Sequence, residues 1–273
     1  MTHQLLGSIA ILGAGNVGQA LARGLVSAGR VATGDVTLTR RHADKLEDLT
    51  AAGFHTTTDN RAAVAKARQV IIAVQPRQLD ALLAEIRDSL DPMRHTLVSV
   101  VTGAAVQQIQ AQVGPEIPVV RAIPNTAIAI GQSMTCLAAS PAHREALERA
   151  RGLFESVGAT LVIDESMAEA ATALCACGVA FFLRSIRAAS QGGIEIGMHP
   201  EEALMMAAQT ARGAAGLLIR EGTHPEAEID RVTTPRGCTI AGLNEMEHRG
   251  FSSAMIKGIV TSARKAHELY RQG

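Results

Sequence analysis

One stretch near the start, ILGAGNVGQALARGL from Ile11 to Leu25, limits what this chain can fold into more than any other. A short apolar run ends in Gly13-x-Gly15-x-x-Gly18 and passes directly into residues whose apolar side chains recur at helical spacing. A strand that turns sharply into a helix needs small residues at these three places. Gly13 permits the tight turn, Gly15 lets the backbone approach a ligand, and Gly18 lets helix and strand close on each other. Asn16 and Val17 then fall at the helix start, where free N–H groups and the helix dipole favour an anion such as a pyrophosphate. The motif predicts a first strand, a first helix and a dinucleotide held at their junction.

The same alternation continues along the chain. SIAIL, DVTLT, QVIIAV, TLVSVV, PVVRAI, MTCLAA and TLVID are β-rich runs, separated by helical stretches from Asn16, Ala43, Arg77, Ala104 and Ala142. Short β-branched runs between amphipathic stretches predict a parallel sheet covered on both faces, the Rossmann-type doubly wound α/β arrangement. After Asp164 the strand signals stop, and helices are expected at 166–190, 201–220, 225–232, 235–248 and 252–271. Two domains follow: a dinucleotide-binding domain over 1–165 and an all-helical domain over 166–273. In the second, Leu204, Ala208, Ala211, Ala215 and Leu218 recur at helical spacing among small residues, a pattern that suits tight packing between helices, including helices of two copies.

The bulk properties exclude several partners. Lys plus Arg equals Asp plus Glu at 26 each, so no net field draws nucleic acid or anionic lipid. Aromatic residues make up 2%, with no Trp and one Tyr, which leaves little on which bases could stack. The uncharged run Ala170–Leu183 is shorter than the ~20 residues that cross a bilayer and reads as a buried helix. The first residues carry no basic-then-apolar leader, so a cytoplasmic setting is expected. Cys136, Cys175, Cys177 and Cys238 lack metal-ligand spacing. Cys175 and Cys177, in LCACG, read as small packing residues rather than a redox pair, and neither a structural disulfide nor a metal is expected.

Cofactor choice is legible at the end of the second strand. An Asp or Glu there would accept hydrogen bonds from a ribose 2′-hydroxyl. This chain has Thr39-Arg40-Arg41, a hydroxyl and two guanidinium groups that suit a 2′-phosphate, so NADP(H) is preferred and NAD(H) is the alternative. Ala73-Val74-Gln75-Pro76, after the third run, supplies the next wall of the crevice.

A second signal lies near the far end, in VTTPRGCTIAGL, Val232 to Leu243. Thr followed by Pro is a helix-start signature, so Thr234 is expected to cap a helix that begins at Pro235, with Arg236 and Gly237 exposing donors to an anion. The segment holds no His, Asp, Glu or Lys. It can position a ligand, but it offers no acid–base pair.

With these pieces placed, the chain resembles the pyrroline-5-carboxylate reductases nearly end to end. The matching stretches are ILGAGNVG, TTDN at 57–60, AVQP at 73–76, IPNT at 123–126, GMHPEEAL at 197–204, AAQTARGAAGLL at 207–218 and HPEAEIDRVTTPRGCTIAGLNEMEHRGFSSAMI at 224–256. The resemblance implies NAD(P)H-dependent reduction of a cyclic imino acid to proline. It implies that Asn60 meets the adenine-side ribose and that Pro124 and Asn125 sit beside the nicotinamide. Thr234, Gly237, Cys238 and Thr239 would hold the substrate, Thr239 nearest the imine, with Arg236 and Cys177 close by. It also implies a homodimer built through the helical domain, often assembled further. Three departures stand out: Gln75 where the family usually has Lys, CACGVA at 175–180 where SGSGPA is usual, and Arg236 where Gly is usual. They leave open a related cyclic imino acid as substrate, or a cofactor-binding regulator without turnover.

Overall fold

The computed structural model describes residues 7–268. Its strands are β1 (Ile9–Leu12), β2 (Val36–Thr39), β3 (His55–Thr57), β4 (Gln69–Ile72), β5 (Thr96–Ser99), β6 (Val119–Ile123), β7 (Ser133–Ala139) and β8 (Gly158–Val162). They form one sheet in the order 3-2-1-4-5-6-7-8. Strand β1 pairs in parallel with β2 on one side and β4 on the other, Ile9 lying opposite both Val36 and Gln69. Every residue of β1, β4, β5 and β6 is buried, as expected of strands covered on both faces. The pairing of β6 with β7 is antiparallel. The link from Ile123 to Ser133 is too short for the crossover of a dozen or more residues that a parallel return requires, so the chain doubles back.

Helices α1 (Asn16–Ser27), α2 (Glu47–Ala51), α3 (Asn60–Lys66), α4 (Leu79–Ile86), α5 (Val106–Val113) and α6 (Arg144–Phe154) cover the sheet. Side chains alternate across each strand, so the faces gather separate cores. Ile9 and Ile11 meet Leu21 and Leu25 of α1 and Phe154 of α6. Ala10 and Leu12 meet Val64 of α3, Leu83 of α4 and Ile109 of α5.

Strand β3 and helix α3 depart from the sequence reading, which carried one helical stretch from Ala43 to the QVIIAV run. The structure has a 3₁₀ turn at Ala43–Leu46, the short α2, then β3 and α3. Strand β3 has three polar residues at the sheet edge and buries none of them, so hydrophobic periodicity carries no sign of it. The start of α3 did leave one: the Asp59 carboxylate accepts from the Ala62 N–H, a side-chain cap.

The chain divides into two compact units, one running to Cys177 and taking in the chain again from Thr261, the other Gly178–Val260. The expected division fell after residue 165. The intervening segment, with α7 (Ala168–Ala171) and a π-turn at Thr172–Cys177, belongs to the first unit, where Ala168 packs with Ile123 and Cys136. The second unit is helical: α8 (Gly178–Glu195), α9 (Pro200–Glu221), α10 (Pro225–Val232), α11 (Cys238–His248) and α12 (Phe251–Glu268), the last running on past the division. The uncharged run Ala170–Leu183 is not the buried helix expected. The π-turn interrupts it, and Leu174, Phe182 and Leu183 are more than half exposed. By length and composition alone Glu165–Glu195 is apolar enough to cross a bilayer.

Phe154 is the largest fully buried side chain and joins α6 to the β1 face. Phe154→Ala should therefore destabilise the chain by about 3–5 kcal/mol, read as a lower denaturant midpoint with an unchanged slope.

Candidate functional site

One candidate site lies at the carboxyl ends of β1, β2 and β4, where the strand order reverses direction from β1. Gly13 has φ 106°, a conformation that favours glycine. A Cβ there would stand 2.6 Å from the Ala73 carbonyl oxygen, so the turn after β1 closes directly on the end of β4. The N–H groups of Gly13 and Ala14 donate to the Thr39 carbonyl at 3.2 and 2.7 Å, which ties the same turn to β2. Gly15 caps α1 with no side-chain partner, and a Cβ on it would meet nothing within 4 Å. The first N–H groups of α1, from Asn16 and Val17 to Gly18, therefore start a helix that is uncapped and opens on free space, the local requirement for an anion.

This turn opens into a cavity of about 480 Å³ lined by Gly13, Gly15, Thr39, Arg40, Arg41, Asn60, Ala73, Val74 and Gln75. Nine residues named from sequence are thus brought around one space, while Pro76 begins the 3₁₀ turn just beyond it. The cavity also recruits His42, Lys45, Arg77 and Glu85, which the sequence reading passed over. His42 and Lys45 follow Arg40-Arg41 closely enough that the basic cluster RRHADK was a usable signal. Glu85 was not foreseeable, because it arrives from α4. Its carboxylate accepts from Asn60 Nδ2 at 3.0 and 3.2 Å, and the Thr39 hydroxyl donates to Asn60 Oδ1 at 2.6 Å. Asn60 is held between the two, which leaves the arginines and Lys45 as the cationic groups at this end.

Pro124 and Asn125 follow β6 and lie outside that cavity's lining. Pro124 is buried. Asn125 is a junction: its Oδ1 accepts from Ala127 N–H at 3.0 Å, its Nδ2 donates to the Cys175 carbonyl at 3.3 Å, and its N–H donates to the Ser133 hydroxyl at 3.2 Å. The π-turn that carries Cys175 and Cys177 is thereby fastened to the end of β6. A π-turn of this kind is rare in regular helices and recurs at functional positions.

A separate candidate lies in the helical unit. Here the structure corrects the sequence reading: Thr234 is not the cap, and no helix begins at Pro235. The cap is Gly237, without a side-chain hydrogen bond, and α11 starts at Cys238. Thr234 instead opens a reverse turn in which the Gly237 N–H donates to the Thr234 carbonyl at 2.9 Å. Proline stands second in that turn and Arg236 third, at φ 60°. This is the type II pattern, in which the third residue must take positive φ and glycine is favoured. Arg236 is the one non-glycine with positive φ among the described residues, and such a conformation costs a bulky residue about 1–2 kcal/mol. The turn leaves Cys238 exposed and Thr239 half-buried in the first turn of α11, at a helix start whose N–H groups have no side-chain cap. The cluster just upstream is a helix start of its own. His224 Nδ1 accepts from the Glu226 N–H, and the Thr223 hydroxyl donates to Glu228 at 2.6 Å, holding that carboxyl below its usual range.

Comparison with known proteins covers both parts of the chain. A family model described as pyrroline-5-carboxylate reductase dimerisation matches residues 165–269, and one described as NADP oxidoreductase, coenzyme F420-dependent, matches residues 8–103. Pyrroline-5-carboxylate reductase 1 of Dictyostelium discoideum is 51% identical over 97% of this chain, which spans half the length of that relative. Pyrroline-5-carboxylate reductase 2 of the same organism is 46% identical over 95% of this chain and 92% of its own length. Among solved structures, a pyrroline-5-carboxylate reductase from Coxiella burnetii matches with TM-score 0.86 at 26% identity, covering 97% of this chain and 98% of that one. The NADP-bound pyrroline carboxylate reductase of Plasmodium falciparum shares the fold at TM-score 0.88 and 20% identity, covering 96% and 98%.

The strained turn makes a stability statement of its own. Arg236→Gly should not destabilise the protein and should raise its unfolding free energy by up to about 1 kcal/mol, whereas Arg236→Val should lower it. Denaturant melts of the two variants would check the sign.

Proposed function

The chain belongs to the pyrroline-5-carboxylate reductase family, and on that ground we infer that it reduces 1-pyrroline-5-carboxylate to L-proline, the final step of proline biosynthesis. It is an oxidoreductase acting on a carbon–nitrogen double bond with NAD(P)H, and it works as a homo-oligomer built through the helical region. The observation that carries the reading is the uncapped start of α11 behind the Thr234–Gly237 turn, a place for an anion with no His, Asp, Glu or Lys in it. In an isolated chain the helical unit leaves Met205, Ile219 and Ile256 more than half exposed, an apolar surface that a second copy would cover.

The residues present fit the cofactor. The uncapped α1 start behind Gly13 and Gly15 suits a pyrophosphate, Arg40, Arg41 and Lys45 suit a 2′-phosphate, Asn60 and Ala73–Pro76 run along the crevice, and Pro124 and Asn125 are assigned the nicotinamide end. NADPH, when bound, supplies the hydride. The protein's part is positioning. The N–H groups of Cys238 and Thr239, with Gly237 as cap, bind the substrate carboxylate, Thr234 sets the turn, and Arg236 adds a positive charge beside it. The Thr239 hydroxyl accepts a hydrogen bond from the ring nitrogen and fixes its direction. Cys177, on the π-turn, is assigned to the substrate's surroundings. No general acid is required, because an imine of near-neutral basicity arrives protonated, and the turn accordingly carries none. A cytoplasmic setting is part of this reading.

NADPH oxidation in the presence of pyrroline-5-carboxylate, repeated with NADH and with the six-membered imino acid, tests the assignment. Arg40→Ala combined with Arg41→Ala should weaken NADPH by about 1.5–3 kcal/mol per lost contact and leave NADH nearly unchanged; equal weakening would refute the 2′-phosphate reading. Thr239→Ala should lower kcat with NADPH affinity intact, and Thr239→Ser should retain much of the rate. An unchanged kcat in Thr239→Ala would remove the turn from the mechanism.

A further inference from the structure

Two cysteines far apart in sequence meet beside the Asn125 junction. Cys136 Sγ in β7 stands 3.7 Å from Cys175 Sγ in the π-turn. Around them lies a small apolar cluster formed by Ile123, Met134, Ile163 and Ala168. We propose that Cys136 and Cys175 are a redox-active dithiol, in which hydrogen peroxide closes a reversible disulfide that pulls the π-turn off Asn125 and slows turnover.

The geometry sets both the order of events and their consequence. Cys136 is buried and Cys175 half-buried, so Cys175 meets the oxidant first. The contact between the two sulfurs holds the Cys175 thiol down to about 7, while the same contact and then burial push Cys136 up. Cys175 is thus the nucleophile and Cys136 the resolving thiol. In the first step the Cys175 sulfur attacks one peroxide oxygen, the O–O bond breaks, and one water leaves as Cys175 becomes a sulfenic acid. In the second, the Cys136 sulfur attacks that sulfenic sulfur, the S–O bond breaks, and the hydroxyl leaves with the Cys136 proton as a second water. Two thiols lose two electrons, and one hydrogen peroxide takes them up. A small dithiol reverses the bridge by exchange.

For the bond to form, the sulfurs must close from 3.7 Å to about 2.0 Å. The Cys136 backbone is held in register with Ile123 on one side and Leu161 on the other, so backbone displacement on closing the bridge falls on the π-turn, whose Cys175 carbonyl is the acceptor for Asn125 Nδ2. Moving that carbonyl frees the amide of the residue assigned to the nicotinamide end, and this consequence rests on that assignment. A misplacement on the order of 1 Å near reacting atoms costs up to about a hundredfold in rate.

The test uses the full-length protein, reduced, then treated with hydrogen peroxide, alkylated and mapped by peptide mass. The wild type should show a Cys136–Cys175 cross-link and a rate loss of tenfold or more, both reversed by dithiothreitol. Cys136→Ala and Cys175→Ser should show neither, and the cross-link should survive in Cys177→Ala. The fluorescence of bound NADPH, which senses the nicotinamide's surroundings without turnover, should change on oxidation only where the cross-link forms. Absence of the cross-link, its loss in Cys177→Ala, or rate loss that persists in Cys136→Ala would overturn the proposal. So would a cross-link that leaves both rate and fluorescence unaltered. A reduced enzyme inactive with pyrroline-5-carboxylate would instead count against the assigned reaction, with the mass map and fluorescence still deciding the dithiol.

Discussion

Everything in the first unit depends on β1 being held in register by β2 and β4 at once. The strand is buried on both faces, so its backbone groups have no water to turn to and must be met by the two neighbouring ladders. At its carboxyl end those ladders diverge, and the turn through Gly13 fills the gap by leaning on the Ala73 carbonyl on one side and the Thr39 carbonyl on the other. A side chain at Gly13 would push these apart. The crevice is therefore a consequence of sheet packing, and its walls are as rigid as the core beneath them.

The helical unit solves a different problem. Its turn at Thr234–Gly237 holds an arginine in a conformation that glycine takes freely, and strain of this sort persists only where the surroundings over-determine it. Proline before it fixes the turn's entry, and the Gly237 N–H to Thr234 carbonyl bond closes it. What is gained is a helix start without a side-chain cap, with a cation adjacent. Under the function proposed above, N–H groups would meet the substrate's carboxylate there with no side-chain carboxylate or imidazole to desolvate.

Asn60 and Asn125 show how single amides are fixed by their partners. Each is engaged on both oxygen and nitrogen, Asn60 between Thr39 and Glu85, Asn125 between the following turn and the π-turn. A buried or half-buried amide with both ends occupied has one orientation, which is what a positioning site demands of its walls.

The sequence by itself determined the alternation of strands and helices to Asp164, the helical remainder, the glycine turn with its basic neighbour Arg40-Arg41, and the turn at the Thr-Pro pair. These rest on local chemistry: periodicity, glycine's freedom, the missing N–H of proline. Only the tertiary structure decided the rest. It placed the polar edge strand β3, whose pairing with β2 and not its own pattern makes it a strand, and it turned β7 antiparallel because the link before it is short. It moved the cap from Thr234 to Gly237, since a turn closed by Arg236 at positive φ excludes a helix from Pro235. It brought Glu85 to Asn60 and Cys136 to Cys175. Contacts between residues 25 and 39 positions apart are set by sheet order and helix placement, and no local spacing encodes them.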